Sequence, residues 1–422
     1  MKHFFEKVKV IFKDKTLLRR ILFVLGILVL FRLLAAIPVP GINPVALEQF
    51  LQQNQFFGLL NIFSGGGLKQ LSILMLGVGP FITTSIILQL LTVLVPKLKD
   101  MYHEQGEAGR KKFYQYSRYL TIPVAALQAI GLLLVFSRQG ILPGISSAAF
   151  IVSVVSVVAG SVLLTWIGEL VTEFGLGNGV SVIIFAGIVV GIPRVISQVG
   201  FSFTAADVPM YIAILVAALI IIAGVVAMNE AERIIPVHYA KQSRGGNVYG
   251  GVSTHIPLKI NQAGVMPIIF ALSILLFPQM LANFFANSPG FMGSVAHALQ
   301  SFVNNQLLYG IVYFVLTVAF TFFYSAITFD AHAMASNLHK NGAFIPGIRP
   351  GDHTEEYLHT IVLRLTFVGG MFLGIVALIP IILQSASGIS GLTLGGTSIL
   401  IVVGVILEMM KRLDAQVAMR QY

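Results

Sequence analysis

Residue patterns that usually carry catalysis are missing from this chain. His103-Glu104 lacks the second histidine of a zinc-protease helix, and neither a Gly-x-x-x-x-Gly-Lys-[Ser/Thr] phosphate loop nor a Gly-x-Ser-x-Gly nucleophile turn occurs. The absence of cysteine excludes disulfides, thiolate metal sites and cysteine nucleophiles. We therefore predict no catalytic residues, no metal site and no cofactor, so the protein is not expected to be an enzyme.

Several isoleucines lie close in sequence to glycines and prolines, which loosen helices, and this pattern could build a pore lining rather than a catalytic site. These isoleucines are Ile82, Ile86, Ile184, Ile269 and Ile401. Ile82 and Ile86 lie about one helical turn apart and share a helix face. If such faces converge at mid-membrane, they form a narrow apolar collar that stops ions by dewetting and can still deform around a passing chain. From the pattern alone, packed or lipid-facing isoleucines are the simpler interpretation.

The elements that must position these side chains are membrane-spanning helices. The 422 residues are 56% hydrophobic and 10% charged, and the mean hydropathy is +0.87, whereas soluble domains carry about 25% charged residues. Apolar runs recur that approach the roughly 20 residues needed to cross a bilayer. We predict an all-α membrane protein with ten transmembrane helices. The predicted spans are 21–37, 71–95, 119–137, 148–168, 179–197, 209–228, 263–284, 307–329, 363–383 and 394–410.

The distribution of lysine and arginine predicts that both termini lie inside. The predicted inner segments hold 23 of the 27 basic residues, and the outer side holds Arg32, Lys69, Arg138 and Arg194. The net charge of +10 is therefore explained first by the excess of lysine and arginine on the inner side. The basic loops could also attract ribosomal RNA or anionic lipid. The basic arm at 1–20 is followed by no small-residue cleavage pattern, so we expect the first span to stay in the membrane.

Two similar motifs suggest an internal repeat. Residues 77–82 read Gly-Val-Gly-Pro-Phe-Ile and open the second span, and residues 264–269 read Gly-Val-Met-Pro-Ile-Ile and open the seventh. These spans run in opposite directions, which predicts two inverted five-helix halves, 21–200 and 201–422. A chance match is the alternative, because glycine and proline are common in membrane helices.

Three connecting segments are unusual. Residues 56–67 are apolar, too short to cross the bilayer and end in three glycines, so they fit either a small mobile element in a vestibule or an amphipathic helix at the outer surface. The predicted cytoplasmic loops 229–262 and 330–362 are the sizeable hydrophilic segments and lack a strong helical pattern. Loops of this length are usually functional, and solvated linkers are the alternative.

The alternative to a pore closed by an apolar collar is a small-solute secondary transporter built on inverted repeats. Span interiors contain almost no ionisable residues, whereas ion-coupled transporters generally need buried relay groups. Thr83, Thr84, Gln89 and Gln128 could still bind a neutral solute. An intramembrane enzyme has no nucleophile or metal set to support it.

Several of these segments resemble signatures of the SecY family of protein-conducting channels. Residues 342–351 (Gly-Ala-Phe-Ile-Pro-Gly-Ile-Arg-Pro-Gly), followed by Thr354 and Tyr357-Leu358, resemble that family's last long cytoplasmic loop. Further similar stretches are 61–67, 77–89, 177–187, 261–270 and 395–398. Together they touch both halves and nearly the full chain.

This resemblance implies a ten-helix clamshell of two pseudo-symmetric halves around an hourglass pore. It also implies that Ile82, Ile86, Ile184, Ile269 and Ile401 form the pore ring and that residues at about 57–68 form a plug. The implied plug residues are Phe57, Leu60, Asn61, Ile62, Phe63, Ser64, Gly65, Gly66 and Gly67.

The same resemblance implies a gate, partners and a location. Spans 2 and 3 against spans 7 and 8 would form a lateral gate that binds signal peptides and releases hydrophobic segments into the lipid bilayer. Arg244 and Arg349 would dock a ribosome or the SecA ATPase motor, and SecE and SecG would be the small membrane subunits. The implied function is to pass unfolded secretory polypeptides through the bacterial cell membrane, with both termini of this chain cytoplasmic.

Overall fold

Apolar helices dominate the computed structural model. It describes residues 14–39, 46–47, 64, 66–68, 71–103, 105–142, 144, 146–175, 177–201, 208–239, 242–244, 247–249, 253–285, 290–387 and 392–421. The first part of the chain forms α1 (Lys15–Ala35), α2 (Gly79–Leu94), α3 (Pro96–His103), α4 (Gly106–Arg138), α5 (Ser147–Phe174) and α6 (Gly179–Phe201). Side-chain caps begin three of them: Asp14, Ser146 and Asn178 accept hydrogen bonds from the N–H groups of Thr16 (2.8 Å), Ala149 (3.3 Å) and Val180 (3.1 Å).

The second part of the chain is also mainly helical. Its helices are α7 (Val208–Glu230), α8 (Met266–Phe285), α9 (Phe291–Asn304), α10 (Gln306–Thr328), α11 (Ala331–Lys340), α12 (Asp352–Ser387) and α13 (Leu392–Gln421). Asn305 caps α10 and Asp330 caps α11, since their side-chain oxygens accept hydrogen bonds from Leu308 N–H (3.1 Å) and Ala333 N–H (2.9 Å).

The two long hydrophilic segments fold together into a small β-sheet, which was not predicted from the sequence. In the first segment, β1 (Glu232–Tyr239) pairs antiparallel with β4 (Ser253–Lys259), while β2 (Gln242–Arg244) and β3 (Asn247–Tyr249) pair with each other. From the second segment, β5 (Ala343–Phe344) pairs with the end of β1 and gives the order β4-β1-β5. These segments were predicted as loops within an all-α protein, because strands this short have no helical period to reveal them.

Each of the ten predicted spans overlaps a helix, but the boundaries differ. The second predicted span begins at 71, whereas residues 71–78 form turns and α2 begins at Gly79. Val95 is extended before Pro96, and the chain bends by 113° between α2 and α3. Within the segment predicted as the loop 330–362, α11 is a helix and α12 already begins.

Length and hydropathy identify the helices best suited to cross a membrane. Among the described residues these are Gly106–Arg138 (α4), Ser147–Phe174 (α5), Gln306–Lys340 (α10 together with α11) and Asp352–Ile379 (the first part of α12). The bent pair α2 and α3 would provide a fifth crossing. Shorter apolar helical stretches occur at Gly179–Gly191, Leu215–Glu230 and Met266–Leu275. The fold is therefore that of a largely helical membrane protein with several apolar helices.

Helix packing is concentrated within two sets of helices. In the first set, α5 packs against α1, α2, α4 and α6; in the second, α12 packs against α7, α8, α10, α11 and α13. Among the described residues, extensive contacts between the sets involve α8 with α2 and α4, and α13 with α6. The two sets therefore meet along two seams.

Candidate functional site

All five predicted pore isoleucines are buried. Ile82 and Ile86 lie on α2, Ile184 on α6, Ile269 on α8 and Ile401 on α13, with exposed fractions of 6%, 3%, 1%, 1% and 1%. They belong to one continuous apolar cluster, which draws residues from both helix sets. The structure therefore brings β-branched side chains from four helices into the region between the sets.

The repeated motifs position two of these isoleucines in the same way. Gly77 and Gly264 both adopt left-handed backbone conformations, with φ of +58° and +61°, and a helix begins two residues after each. Ile82 and Ile269 each follow their glycine by five residues, and their N–H groups bond to the Val78 and Val265 carbonyls at 3.1 and 3.3 Å. The motif similarity thus corresponds to a shared local geometry at the start of α2 and α8.

The predicted plug is described only at its end. Phe57, Leu60, Asn61, Ile62, Phe63 and Gly65 lie outside the described residues. Ser64 is 0% exposed, and its hydroxyl accepts a hydrogen bond from the Leu68 N–H at 3.1 Å. Gly66 has a φ of +88°, so it tolerates a turn that other residues would resist. Gly66 and Gly67 therefore lie in a tight turn that precedes residues 71–78 and α2.

Gly67 leaves no room for a side chain. A Cβ atom there would lie 2.8 Å from the Ser72 hydroxyl oxygen and 2.9 Å from the Leu74 carbonyl oxygen. The Gly67 carbonyl accepts hydrogen bonds from the Ser72 N–H (2.9 Å) and the Ser72 hydroxyl (3.2 Å). The turn is thus packed against and hydrogen-bonded to residues 71–78, which we name the root segment.

Helix α8 occupies the seam where a lateral gate is predicted. It contacts α2 and α4 on one side and α10 on the other. On the α10 side, the Phe270 ring packs edge-on against Phe320 and Tyr324, with ring centres 6.0 and 6.1 Å apart. These aromatic contacts join α8 to α10.

Two of the four polar side chains that could bind a neutral solute are hydrogen-bonded within their own helix. The hydroxyls of Thr83 and Thr84 donate to carbonyls of their own helix, at 3.1 Å to Gly79 and 2.8 Å to Pro80. The Gln89 side-chain oxygen is buried and, among the described residues, has no hydrogen-bond partner. A solute site would need several convergent groups, and the donor hydrogens of both threonine hydroxyls are already used within their own helix.

The two long hydrophilic segments share their own apolar core. It joins β1, β4 and β5 to α11 and α12 through side chains that are at most 9% exposed. These are Ile235, Val237, Leu258, Ala331, Ala343, Ile345, Leu358 and Val362. The two predicted docking loops are therefore one folded body, which we name the cytoplasmic body after the side of the membrane predicted for it from the sequence. Its pairing leaves no local signal in the sequence, because the contacting strands are far apart in the chain.

Arg349 projects from a turn on this body. The turn is closed by Gly347 and Gly351, with φ of +81° and +97°, and by the Thr354 hydroxyl, which donates to the Arg349 carbonyl at 2.9 Å. The Arg349 side chain is not buried, and no described residue pairs with its guanidinium group. Arg244 lies in β2, and its side chain is outside the description. A fixed backbone thus presents an accessible cation at Arg349.

An ion pair links two helices of the cytoplasmic body. His332 Nδ1 on α11 lies 2.7 Å from Glu355 Oε2 on α12. The hydrogen bond to Glu355 and its negative charge raise the pKa of His332 above its ordinary value. The pair therefore keeps its charged form at pH values where an isolated histidine is already neutral.

A polar network joins the end of α7 to α13 and to the turn before α8. The Lys411 ammonium group on α13 donates to the Asn229 carbonyl at 2.9 Å and lies 3.0 Å from Glu230 Oε1, both at the end of α7. The Asn261 amide donates to the Asn229 side chain at 2.8 Å and to the Gly264 carbonyl at 3.1 Å, just before α8. These residues were not predicted from the sequence, because their partners come from separate parts of the chain.

Comparisons with known proteins give a consistent result. The sequence profile of the SecY family matches residues 72–410. Protein translocase subunit SecY of Aquifex aeolicus is 42% identical, over 99% of this chain and 98% of that protein. One similar solved structure concerns the SecY plug domain, which stabilises that channel's closed state and maintains a membrane seal. It aligns over 93% of this chain and 91% of its own chain, with a TM-score of 0.64 and 20% sequence identity. Sec61 in a canine ribosome–channel complex aligns over the same fractions, with a TM-score of 0.62 and 19% identity.

Proposed function

This chain belongs to the SecY family, and from that premise we propose how its residues build and control a protein-conducting pore. The chain is the pore-forming subunit of a protein translocase; it is a channel component and not an enzyme. It is a multi-pass membrane protein. Such a channel needs a seal against ions, a side exit toward lipid and a surface that binds the partners delivering the secretory polypeptide.

We propose ten transmembrane helices in two inverted five-helix halves. The left-handed glycines at 77 and 264, each followed by a helix on which an isoleucine occupies the same relative position, support this repeat. The separation of the helix packing into two sets supports the clamshell arrangement. The basic residues in the cytoplasmic body and the N-terminal arm support an orientation with both termini cytoplasmic, in a bacterial plasma membrane.

The burial of Ile82, Ile86, Ile184, Ile269 and Ile401 in one cluster is the observation that carries this proposal. These side chains form the constriction of the pore. An apolar constriction blocks ions because water does not fill it, and it needs no ionisable groups. The plug at about 57–68 covers this constriction at rest and swings about the glycines at 65–67.

The seam between α8 and the pair α2 and α4 is the proposed lateral gate. When it opens, a passing segment can partition between the pore and lipid. Each Leu or Ile favours the bilayer by a few tenths of a kcal/mol, so about 20 apolar residues leave sideways and polar segments continue through. Signal peptides would occupy the same seam with their shorter apolar cores.

The cytoplasmic body is the proposed docking site for partners that deliver the secretory polypeptide and drive it through the pore. Arg349, and Arg244 on the adjoining hairpin, would bind a ribosome during synthesis or the SecA motor after it. The accessible Arg349 guanidinium suits bidentate contacts with phosphate or carboxylate groups. SecE and SecG would complete the membrane complex.

A translocation assay tests this proposal against solute transport. The chain is reconstituted with SecE and SecG in vesicles, and a secretory precursor is added with SecA and ATP. We expect the precursor to become protected from protease, and a version with an inserted stretch of about 20 leucines to remain in the bilayer instead. A second version with the stretch replaced by serine and glycine is the control, and it should pass through. If no precursor is protected while SecA is bound and hydrolysing ATP, the pore assignment is wrong.

A further inference from the structure

An apolar groove of about 710 Å³ lies between α4 and α5. Its walls are mainly aliphatic and include Ile122 and Ala126 from α4 and Val155, Ala159 and Val162 from α5. Both helices are long and apolar enough to cross a membrane. The side chains of Ile122 and Val155 are 46% and 60% exposed, so the groove lies on the outside of the helix bundle, where lipid surrounds a membrane protein.

A tryptophan and an ion pair mark one end of this groove. Trp166 and Arg118 both line it, and Trp166 is the single tryptophan of the chain. The Arg118 guanidinium group donates twice to the carboxylate of Glu169 on α5, from Nε to Oε1 at 3.3 Å and from Nη2 to Oε2. Trp166 precedes Glu169 by three residues, so its indole lies about one helical turn from the ion pair. Because tryptophan is enriched at the level of lipid headgroups, this end of the groove belongs to the membrane interface.

The length of the groove matches one leaflet of a bilayer. Its lining extends along α5 from Trp166 to Val154, which are twelve residues apart, or about 18 Å at the rise of a helix. One leaflet contributes about 15 Å, half of the hydrocarbon core of a bilayer. An acyl chain whose headgroup lies beside Arg118 and Glu169 would therefore reach along the whole groove.

The headgroup end of the groove offers charges of both signs. A guanidinium group has five N–H donors, and Glu169 takes two of those on Arg118, whose side chain remains 45% exposed. The Glu169 side chain is 26% exposed, and its carboxylate can accept a further hydrogen bond. A lone anion beside Arg118 would be repelled by Glu169, and a lone cation beside Glu169 would be repelled by Arg118. A phosphate that is joined to an ammonium group satisfies both side chains.

We propose that this groove binds one molecule of an aminophospholipid, whose headgroup joins a phosphate to a primary ammonium group as in phosphatidylethanolamine. The phosphate accepts hydrogen bonds from the remaining Arg118 N–H groups, the ammonium group donates to Glu169, and one acyl chain lies along the wall formed by α5. A helix of a partner protein would need small residues for close approach, whereas branched aliphatic side chains dominate this groove. Only the choice of leaflet depends on the proposed orientation of the chain, which puts Arg118 on the cytoplasmic side.

Fluorescence of Trp166 tests the proposal, because bromine atoms on an acyl chain quench a tryptophan that they contact. The complex with SecE and SecG is reconstituted in vesicles of equal parts phosphatidylethanolamine, phosphatidylcholine and phosphatidylglycerol, and one of the three lipids carries brominated chains in each sample. The same complex with Trp166→Phe gives the signal of other tryptophans, which is subtracted. We expect phosphatidylethanolamine to occupy the groove about fivefold in preference to phosphatidylglycerol, near the upper end for a partly exposed charge pair.

Single substitutions show whether the ion pair causes this preference. Arg118→Gln and Glu169→Gln should each abolish it, because each removes one of the two charges that recognise the headgroup. Lys111→Gln and Glu173→Gln are the matched controls on the same two helices. Lys111 is 76% exposed, Glu173 lies one turn beyond Glu169, and neither lines the groove, so both variants should keep the preference. Should one of the first two variants not assemble, the other decides alone.

Three results would overturn the inference. Equal quenching by the three lipids would mean that the groove holds bulk lipid without recognising a headgroup. A preference that survives both Arg118→Gln and Glu169→Gln would mean that other groups select the lipid. For the third, Leu127→Trp in the Trp166→Phe protein places a tryptophan at a position of α4 that is 70% exposed. If that tryptophan is quenched and Trp166 in the unmodified protein is not, a protein helix covers the groove and no lipid binds there.

Discussion

Replacing Ile86 by serine is expected to let ions through the resting channel. Ile86 is 3% exposed in the cluster that contains the other four pore isoleucines, so serine there puts a hydroxyl and a smaller volume into the constriction. Loss of one buried isoleucine side chain weakens an apolar contact by about 1.5–3 kcal/mol. That corresponds to roughly tenfold or more in the population of water-filled pores. Single-channel conductance in a planar bilayer measures the effect.

The neighbouring residue supplies the control for this variant. Ile87 is 43% exposed on the same helix, so Ile87→Ser changes the same chemistry at a position that faces away from the cluster. We expect its resting conductance to match that of the unmodified channel. Equal conductance for the two variants would show that Ile86 does not line the barrier.

Reversing the charge of Arg349 is expected to stop motor-driven translocation. Its guanidinium group is accessible on a turn fixed by Gly347, Gly351 and Thr354, so Arg349→Glu changes the docking surface without altering the turn. Loss of a charge pair at the centre of an interface costs about 2–5 kcal/mol, or at least roughly tenfold in affinity. The rate of precursor protection by SecA and ATP should fall accordingly.

Two comparisons show whether the defect lies in docking. Lys340→Glu reverses an exposed charge at the end of α11 in the same cytoplasmic body, and it should translocate nearly normally. The resting conductance of Arg349→Glu should be unchanged, because the pore is untouched. A variant that binds SecA normally and still fails to translocate would contradict the docking role.

The helices could be predicted because their signals are local. A run of apolar residues predicts a membrane helix directly, and the Gly-Val-x-Pro motifs mark the starts of α2 and α8, where both glycines have positive φ. Helix boundaries were harder to predict: residues 71–78 are as apolar as a helix, yet their turns depend on partners at 37–39 and on α5. Composition alone does not distinguish such a turn from a helical end.

Contacts between distant segments could not be predicted. The pairing of β1 with β5 joins residues about a hundred positions apart, and its two-residue strand is too short to show a period. The Lys411 contact with Asn229 and the Ser161 contact with Gly77 each depend on how distant segments of the chain pack. Residue types at these positions are ordinary, so only the folded arrangement reveals their roles.

The absence of native cysteine allows the pore to be mapped directly. A single cysteine is placed at Ile86, or at Val93 as a control that is 67% exposed on the same helix. A secretory precursor carrying one cysteine is stalled midway through the reconstituted complex, oxidised and scored for disulfide crosslinks. We expect strong crosslinking at position 86 and little at 93, because the moving chain passes through the isoleucine constriction. Crosslinking at neither position, with the precursor demonstrably engaged, would contradict the pore assignment.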